Sequence, residues 1–457
     1  MNVPENAATE EDNMYEGALS AVFNIEKKDY PSYIGGLKIA SGKSFDVVSP
    51  IDRTIVFGRF QEPEEGLVGK AVEAAEKAYA PWSQTSPAER AGYFETANDF
   101  IRKQRYRLAG ILTLNAGMTR KDSLEEVDRL IEIIEDTCAF VREGECDDPT
   151  GVWGVITSYN SPLAAPMGFA ISAMLKGNTV VLIPSGKVPM PVYSIYSILE
   201  TARLPDGVLN LITDRNDTSA KALAGNMDLA GIAFSGSGIL AEDMMFMQMS
   251  VDLDFINETK GMNPIFVYKP ANMKEAAKLV VDSAFTYSGQ RMDSTSKVVV
   301  TADEADAFQR ALLSELKSLR VGDPTDKEST MGPVISEKDM ERLLCAAESY
   351  RDSLIFGGKR LKGEFLDNGF FVSPAVFVGL PEEHDLNNMD NSLPILSIQL
   401  AQGVEDAVEL INSSEFGASA GIITKDSDAA EFFLGNVLAE EVFINDSSRV
   451  VGPAPKV

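Results

Sequence analysis

From residue 151 onward the chain alternates short apolar runs with helix-length amphipathic segments, and this rhythm restricts the fold more than any other feature. VWGVITS, TVVLIP, VLNLIT and LAGIAF are near-continuous apolar stretches, separated by segments at 163–176, 189–203 and 216–225 with helical spacing. A strand that is apolar on both faces must be covered on both, and helices between successive parallel strands do this. A second strand–helix set runs from 296 to 445, through KVVV, FFVSPAVFV and LPILSIQLAQ to EEVFIND, with helices expected at 336–350, 404–413 and 427–437. Ligands of such sheets lie at the carboxyl ends of the strands. The residues just after each strand are therefore the candidates for chemistry.

Before residue 151 the pattern differs. A helix is expected over 9–27, short strands and turns over 30–60, and long amphipathic helices near 64–82, 87–115 and 119–142. GLKIASGKS resembles a phosphate-binding loop, but its first required glycine would fall at Leu37, so a hairpin is expected instead. With 457 residues the chain is too long for one core. The boundaries expected are 1–262 and 263–445 for two α/β domains, and 446–457 for a short tail.

The charge balance excludes partners. Sixty-nine acidic residues against 41 basic ones give a net charge of −28, a field that repels nucleic acid and anionic membranes. The acids are spread along the chain, which predicts a solvated acidic surface. No apolar run approaches a membrane span, and MNVPENAATEEDNMYEG lacks the basic and apolar regions of a signal peptide, so a cytoplasmic protein is expected. Cys138, Cys146 and Cys345 have neither disulfide nor zinc spacing, and the sole histidine, His384, lies in the polar loop PEEHDLNN. No metal is expected.

Two strand ends stand out. LAGIAF runs into Ser235-Gly236-Ser237-Gly238 and then a Met-rich helix, a G-x-G-x-x-G/A arrangement. Its glycines serve either close approach to a phosphate or the turn geometry alone. The methionines of that helix, Met244, Met245, Met247 and Met249, read as core. In 281–300, VDSAFTYSGQRMDSTSKVVV, a helical segment ends at Tyr287, a tight turn follows at Ser288-Gly289-Gln290, and a strand begins at Lys297. The side chains between them are carried on a turn over a rigid scaffold, where chemistry tends to sit.

Phe285, Gly289 and Gln290 in that turn resemble the nucleophile loop of the aldehyde dehydrogenase superfamily, F-x-x-x-G-Q-x-C. YPSY, SPID, SGQR, SLRVGDP, MGPVIS, FGGKRL and FINDSS are similar to its archaeal non-phosphorylating glyceraldehyde-3-phosphate and lactaldehyde branch, and the resemblance spans nearly the whole chain. It implies the aldehyde dehydrogenase-like α/β fold: a cofactor-binding-type and a catalytic-type domain, each built on a parallel sheet. At the cysteine position stands Met292. A thioether has no proton to lose, and its attack on a carbonyl would leave a sulfonium, so Met292 is expected to be inert and to fill the thiol's place.

The same resemblance assigns other positions. Glu258, in Glu258-Thr259-Lys260-Gly261-Met262-Asn263-Pro264, is the implied general base, with an ion pair to Lys260 as the other reading. Asn160 after Tyr159 is the implied oxyanion donor, although an asparagine also suits a strand-end turn. Asp293 and Ser294 are the substitutes available for the nucleophile, with Glu258 as their base. The implied cofactor is NAD or NADP, contacted by Tyr159, Pro184, Ser185, Gly236, Ser237 and Asp390. Ile183 replaces the family's ribose-binding lysine, with Lys187 as a possible substitute, and Asp390-Asn391-Ser392-Leu393-Pro394 replaces E-x-F-G/A-P. Binding is expected to be kept at the phosphates and weakened at both sugars.

Only Glu143 to Thr150 links the third long helix to the first sheet strand, and the chain ends at Val457 after GPAPKV. The family's oligomerisation arm is therefore expected to be truncated and its arm-mediated homodimer absent. The function implied is a catalytically inactive paralogue with a regulatory, scaffolding or binding role, its partner another protein or a small molecule in the cleft. The alternative is an NAD(P)-dependent oxidoreductase acting on a small aldehyde, of lactaldehyde or glyceraldehyde type, by a non-covalent route through Glu258 and Asn160.

Overall fold

The computed structural model describes residues 5–23, 28–144, 148–248, 253–259, 261–388, 392–413 and 418–448. Two seven-stranded sheets and one three-stranded sheet organise them. The first large sheet places Asp254–Thr259, Gly231–Gly236, Val152–Thr157, Thr179–Ile183 and Leu209–Leu211 side by side, all parallel. The hairpin Ser32–Ile34 and Leu37–Ile39 extends it antiparallel. That hairpin is the one expected around GLKIA, closed by Gly35 and Gly36, both with positive φ.

The second large sheet runs from Leu354–Gly357 through Ala375–Val378, Ile395–Ala401, Lys297–Thr301, Ile265–Val267 and Ser419–Ile423 to Glu441–Ile444. Only the first of these strands is antiparallel to its neighbour. The first sheet's last strand ends at Thr259 and the second sheet's first begins at Ile265.

Apolar patterning explains the layers. Thr179–Ile183 and Val152–Thr157 are buried along their whole length. One face of the first sheet packs against helices such as Ala164–Lys176, and the other against Leu67–Ser83. Fully burying each Val, Leu or Ile contributes about 1.5–3 kcal/mol relative to exposure. One position breaks the apolar rule. Lys297 is fully buried, donates its ammonium to the Leu410 carbonyl, and has its pKa lowered to about 8 by burial.

Two local expectations change, and one segment left open in the sequence is placed. The single helix expected over 87–115 is two, Pro87–Lys103 and Arg105–Ala116, broken at Gln104 where ψ is 12°. The first helix is Glu5–Phe23, earlier in the chain than expected. The segment carrying Glu258 is a strand. No described helix is long and apolar enough to cross a membrane.

Candidate functional site

Four strands of the first sheet end on one cleft of about 1230 Å³, lined by residues 156–160, 183–187, 214–217 and 234–238. The opposite wall comes from later in the chain: Ile335, Ser336, Lys338, Asp339, Phe370 and Ser392 among others. Tyr159, Asn160, Pro184, Ser185, Gly236 and Ser237, singled out from sequence, all line it. Asp390, Lys260 and Cys146 lie outside the described residues.

The turn before Met292 is held in an uncommon shape. The helix Met273–Phe285 stops two residues earlier than expected, and Tyr287, Ser288 and Gly289 then take φ of 48°, 57° and 66°. Two consecutive non-glycine residues in the left-handed region cost free energy and persist only where surroundings over-determine them. Here they do. Ser288 Oγ donates to the Gly332 carbonyl at 2.8 Å, and the fully buried Tyr287 donates its hydroxyl to the Tyr159 carbonyl at 3.2 Å. Gln290 is buried and donates to the Tyr287 carbonyl at 3.0 Å while accepting from the Ile335 N–H at 2.8 Å.

Met292 itself is half-buried. Its carbonyl accepts from Asn263 Nδ2 at 2.8 Å, and its sulfur lies 3.8 Å from Ser235 Oγ, at the end of the strand that leads into Gly236-Ser237. Ser235 lines the cleft, while Met292 is not among the lining residues.

Asn160 is committed elsewhere than to an open oxyanion site. One amide hydrogen reaches the Gln290 carbonyl at 2.5 Å, the other Ser392 Oγ at 3.3 Å, and its Oδ1 accepts from Ser158 Oγ at 2.6 Å. Its side chain, only 5% exposed, braces the Met292 turn. Asp293 is withdrawn too: Arg291 holds it with two N–H···O bonds at 2.8 and 2.7 Å. Ser294 is 1% exposed and its Oγ has no hydrogen-bond partner, so no base stands ready to activate it.

Glu258 sits in register beside Ser235, half-buried. Burial first, then the neighbouring Glu440 and Glu441, push its carboxyl up to about 8, against the opposing pull of Arg129. The ordinary glutamate value is near 4.5. A carboxyl whose folded pKa is raised adds stability that is complete below the unfolded value and is lost as pH rises through the folded value. Glu258→Gln, permanently neutral, should therefore melt at a higher temperature than the parent at pH 9 and at the same temperature at pH 4. Equal melting points at pH 9 would show that Glu258 ionises without penalty.

Lys187 lines the cleft. Its ammonium pairs with Asp339 at 2.9 Å and lies 4.3 Å over the Tyr159 ring. Asp339 is buried, which alone would raise its pKa, but Lys187, Ser336 and Arg342 together hold it below the ordinary value. Gly186 can carry no side chain, because a Cβ there would stand 2.1 Å from the Asp214 carbonyl oxygen. Ser237 caps the helix Gly238–Gln248: its Oγ accepts the Leu240 N–H at 3.4 Å and its carbonyl the Ala241 N–H at 3.1 Å.

Sequence reasoning missed Asp339 and the contact of Ser392 with Asn160. Ser336-x-x-Asp339 was legible as a helix start, with the Asp339 N–H on Ser336 Oγ, but nothing in it announced a cleft partner for Lys187. Ser392 was read only as part of the segment replacing E-x-F-G/A-P, not as a partner of Asn160. No group of three or more His, Cys, Asp or Glu among the described residues could hold a metal ion.

Comparison with known proteins follows from this geometry. The family model described as "Aldehyde dehydrogenase family" matches residues 38–455. Alpha-ketoglutaric semialdehyde dehydrogenase of Bacillus subtilis is 28% identical over 446 residues, covering 93% of this chain and 91% of its own. Alpha-ketoglutarate semialdehyde dehydrogenase of Haloferax volcanii is 29% identical over 441 residues, covering 91% and 90%. Among solved structures, 1-pyrroline-5-carboxylate dehydrogenase of Thermus thermophilus superposes with a TM-score of 0.91 at 22% identity, covering 96% of this chain and 89% of that one. Betaine aldehyde dehydrogenase of Staphylococcus aureus, solved in complex with NAD+, gives 0.89 at 22% identity, covering 95% and 90%. At this identity the structural likeness speaks for the fold.

Proposed function

This chain belongs to the aldehyde dehydrogenase family, and from that premise we propose that it is a member that no longer makes or breaks an acyl–sulfur bond and works by binding, as a regulatory or scaffolding protein. The observation that carries the proposal is Met292. A thioether stands on the braced turn where the family resemblance puts the nucleophile, and it has no ionisable proton. Neither described thiol substitutes for it. Cys138 lies on the helix Arg120–Glu143 beside the Ala91 carbonyl, its thiol pushed up to about 12 by burial and by Glu95. Cys345 is exposed on the helix Glu337–Ser349.

The committed amide of Asn160 supports the same reading, since a donor aimed at two protein oxygens is not poised for an oxyanion. The semialdehyde names of the relatives point to an ancestor that oxidised a small aldehyde. In this reading that activity left with the thiol. The partner is another protein or a small molecule in the cleft.

Of the family's NAD(P), these residues fit one part. Gly236 and Ser237 suit the phosphates. Ile183 offers no hydrogen bond to a sugar, Gly186 can hold no side chain, and the Met292 sulfur lies 3.8 Å from Ser235 Oγ. The fit to a whole dinucleotide therefore fails.

The test is an assay of purified protein with NAD and with NADP, offering lactaldehyde, glyceraldehyde, its phosphate and α-ketoglutaric semialdehyde. The expected result is no reduced cofactor above the rate without protein. Sustained production would defeat the proposal.

A second reading has one observation in its favour: a half-buried carboxyl with pKa about 8 can accept a proton in mildly alkaline solution. It would make Glu258 the base of a non-covalent oxidation, with Asn160 freed from Gln290. Activity that survives Glu258→Gln unchanged would end it.

A further inference from the structure

A second, smaller cavity of about 40 Å³ lies apart from the cleft, at the edge of the first sheet opposite Asp254–Thr259. It sits between the hairpin Ser32–Ile34 and Leu37–Ile39 and the turn 61–66 that leads into the helix Leu67–Ser83. Side chains alternate along a strand, so Ser32 shares the face of Ile34. Ile34 packs with Leu67 and Val68 of that helix, while Tyr33 belongs to the core on the other face. Ser32 therefore points at the start of the helix, into the cavity it lines. It is 1% exposed, and its Oγ is a buried hydroxyl without a hydrogen-bond partner. Such a group is destabilising until something in the cavity bonds it.

The turn supplies charge and is held still. The Gln61 amide oxygen accepts the Ser41 N–H at 3.0 Å and its hydroxyl at 3.2 Å, and the Gln61 carbonyl accepts Thr213 Oγ1 at 2.8 Å. The Glu62 N–H donates to the Lys43 carbonyl at 2.9 Å, and the Leu67 N–H to the Glu64 carbonyl at 3.0 Å. Glu62 is half-buried, Glu64 and Glu65 are exposed, and all three line the cavity. Among the described residues none of the three is ion-paired. Lys70 is the one base in the lining, and the helix start adds about half a positive charge, which leaves roughly one to one and a half negative charges uncompensated. A water would bond the hydroxyl but leave that charge. The space suits one small ion with roughly one or two waters, since a water needs about 10–15 Å³. A divalent ion calls for converging carboxylates, and no such group occurs among the described residues.

We propose that this cavity binds a monovalent alkali cation through Ser32 Oγ and the Glu62 carboxylate. The ion ties the edge hairpin to the first turn of the helix that covers one face of the first sheet. It stabilises the fold and takes no part in chemistry at the cleft, so the inference stands whether or not the chain is catalytic.

The experiment is thermal melting of the full chain in sodium, potassium and tetramethylammonium chloride at equal ionic strength, on the parent, Ser32→Ala and Glu62→Gln. Tetramethylammonium is too large for the cavity. The parent is expected to melt about 2–4 °C higher in at least one alkali salt than in tetramethylammonium chloride. Both variants are expected to lose that difference, whereas general salt effects would move parent and variants alike. In tetramethylammonium chloride Ser32→Ala should melt at least as high as the parent, because it deletes an unbonded hydroxyl, which also reports that it is folded. Crystals soaked in thallium or rubidium salt should show an anomalous peak beside Ser32 Oγ. Equal parent melting points in all three salts would mean an ordered water only and overturn the proposal. An alkali-dependent gain that both variants keep, or an anomalous map without a peak at Ser32, would overturn it too.

Discussion

Met292→Cys is expected to acquire acyl chemistry that, on the proposed function, the parent is expected to lack. Offered p-nitrophenyl acetate, the variant should release close to one equivalent of p-nitrophenolate in a burst and then turn over slowly. The thiolate would attack the ester carbonyl, the nitrophenolate would leave, and water would later cleave the thioester. The scaffold for this is present: the Tyr287–Gly289 turn is held by Gly332, Tyr159 and Ile335 whichever side chain follows it. Losing a nucleophile costs about 10⁶-fold where the rest of a site is intact. A smaller gain is expected here, about 10³–10⁴-fold over the parent, because the Asn160 amide serves Gln290 and Ser392, and one oxyanion donor is worth about 10²–10³. The readout needs no cofactor, so it separates the sulfur from the cleft. If iodoacetamide labels the new thiol and no burst appears, the turn is not organised for attack.

Gly289→Ala should be among the most destabilising single changes in the chain, by about 3–5 kcal/mol in guanidinium unfolding. The new Cβ would stand 2.4 Å from the Leu393 carbonyl oxygen and 2.9 Å from the Pro394 Cα, both backbone. A φ of 66° adds about 1–2 kcal/mol for a residue with a Cβ. Neither backbone atom can swing aside as a side chain would, and Gln290 would be dragged from Asn160 and Ile335. Gly435→Ala is the control. It lies in the helix Ser427–Asn436 with nothing within 4 Å of its Cβ, and should stabilise by about 0.5–1 kcal/mol. An unfolding midpoint for Gly289→Ala equal to the parent's would mean that the turn relaxes freely.

What could be read from residues alone follows the physics of each segment. The buried strands Val152–Thr157 and Thr179–Ile183 announce themselves because both faces are apolar. Asp254–Thr259 does not, because it closes the sheet, buries no face fully, and spells DFINET. The break at Gln104 escaped because neither Gly nor Pro marks it. At the site, residue types were legible and their commitments were not. Asn160 has the same letter whether its amide faces a substrate or the Gln290 carbonyl. Glu258 was weighed against Lys260, a neighbour in sequence, whereas the charges acting on it, Glu440, Glu441 and Arg129, come from far along the chain. Left-handed φ at Tyr287 and Ser288 had no signal, since the conformation is imposed by distant carbonyls.

Glu441–Ile444 closes the second sheet, with Glu440 and Glu441 both exposed and Glu258 half-buried behind them. A row of backbone groups with no neighbour is a template on which a foreign chain can crystallise into fibre, and like charges set along it oppose that growth. Glu440 and Glu441, which with burial make proton uptake easy at Glu258, thus also act as a colloidal guard, keeping one molecule's rim from knitting to the next.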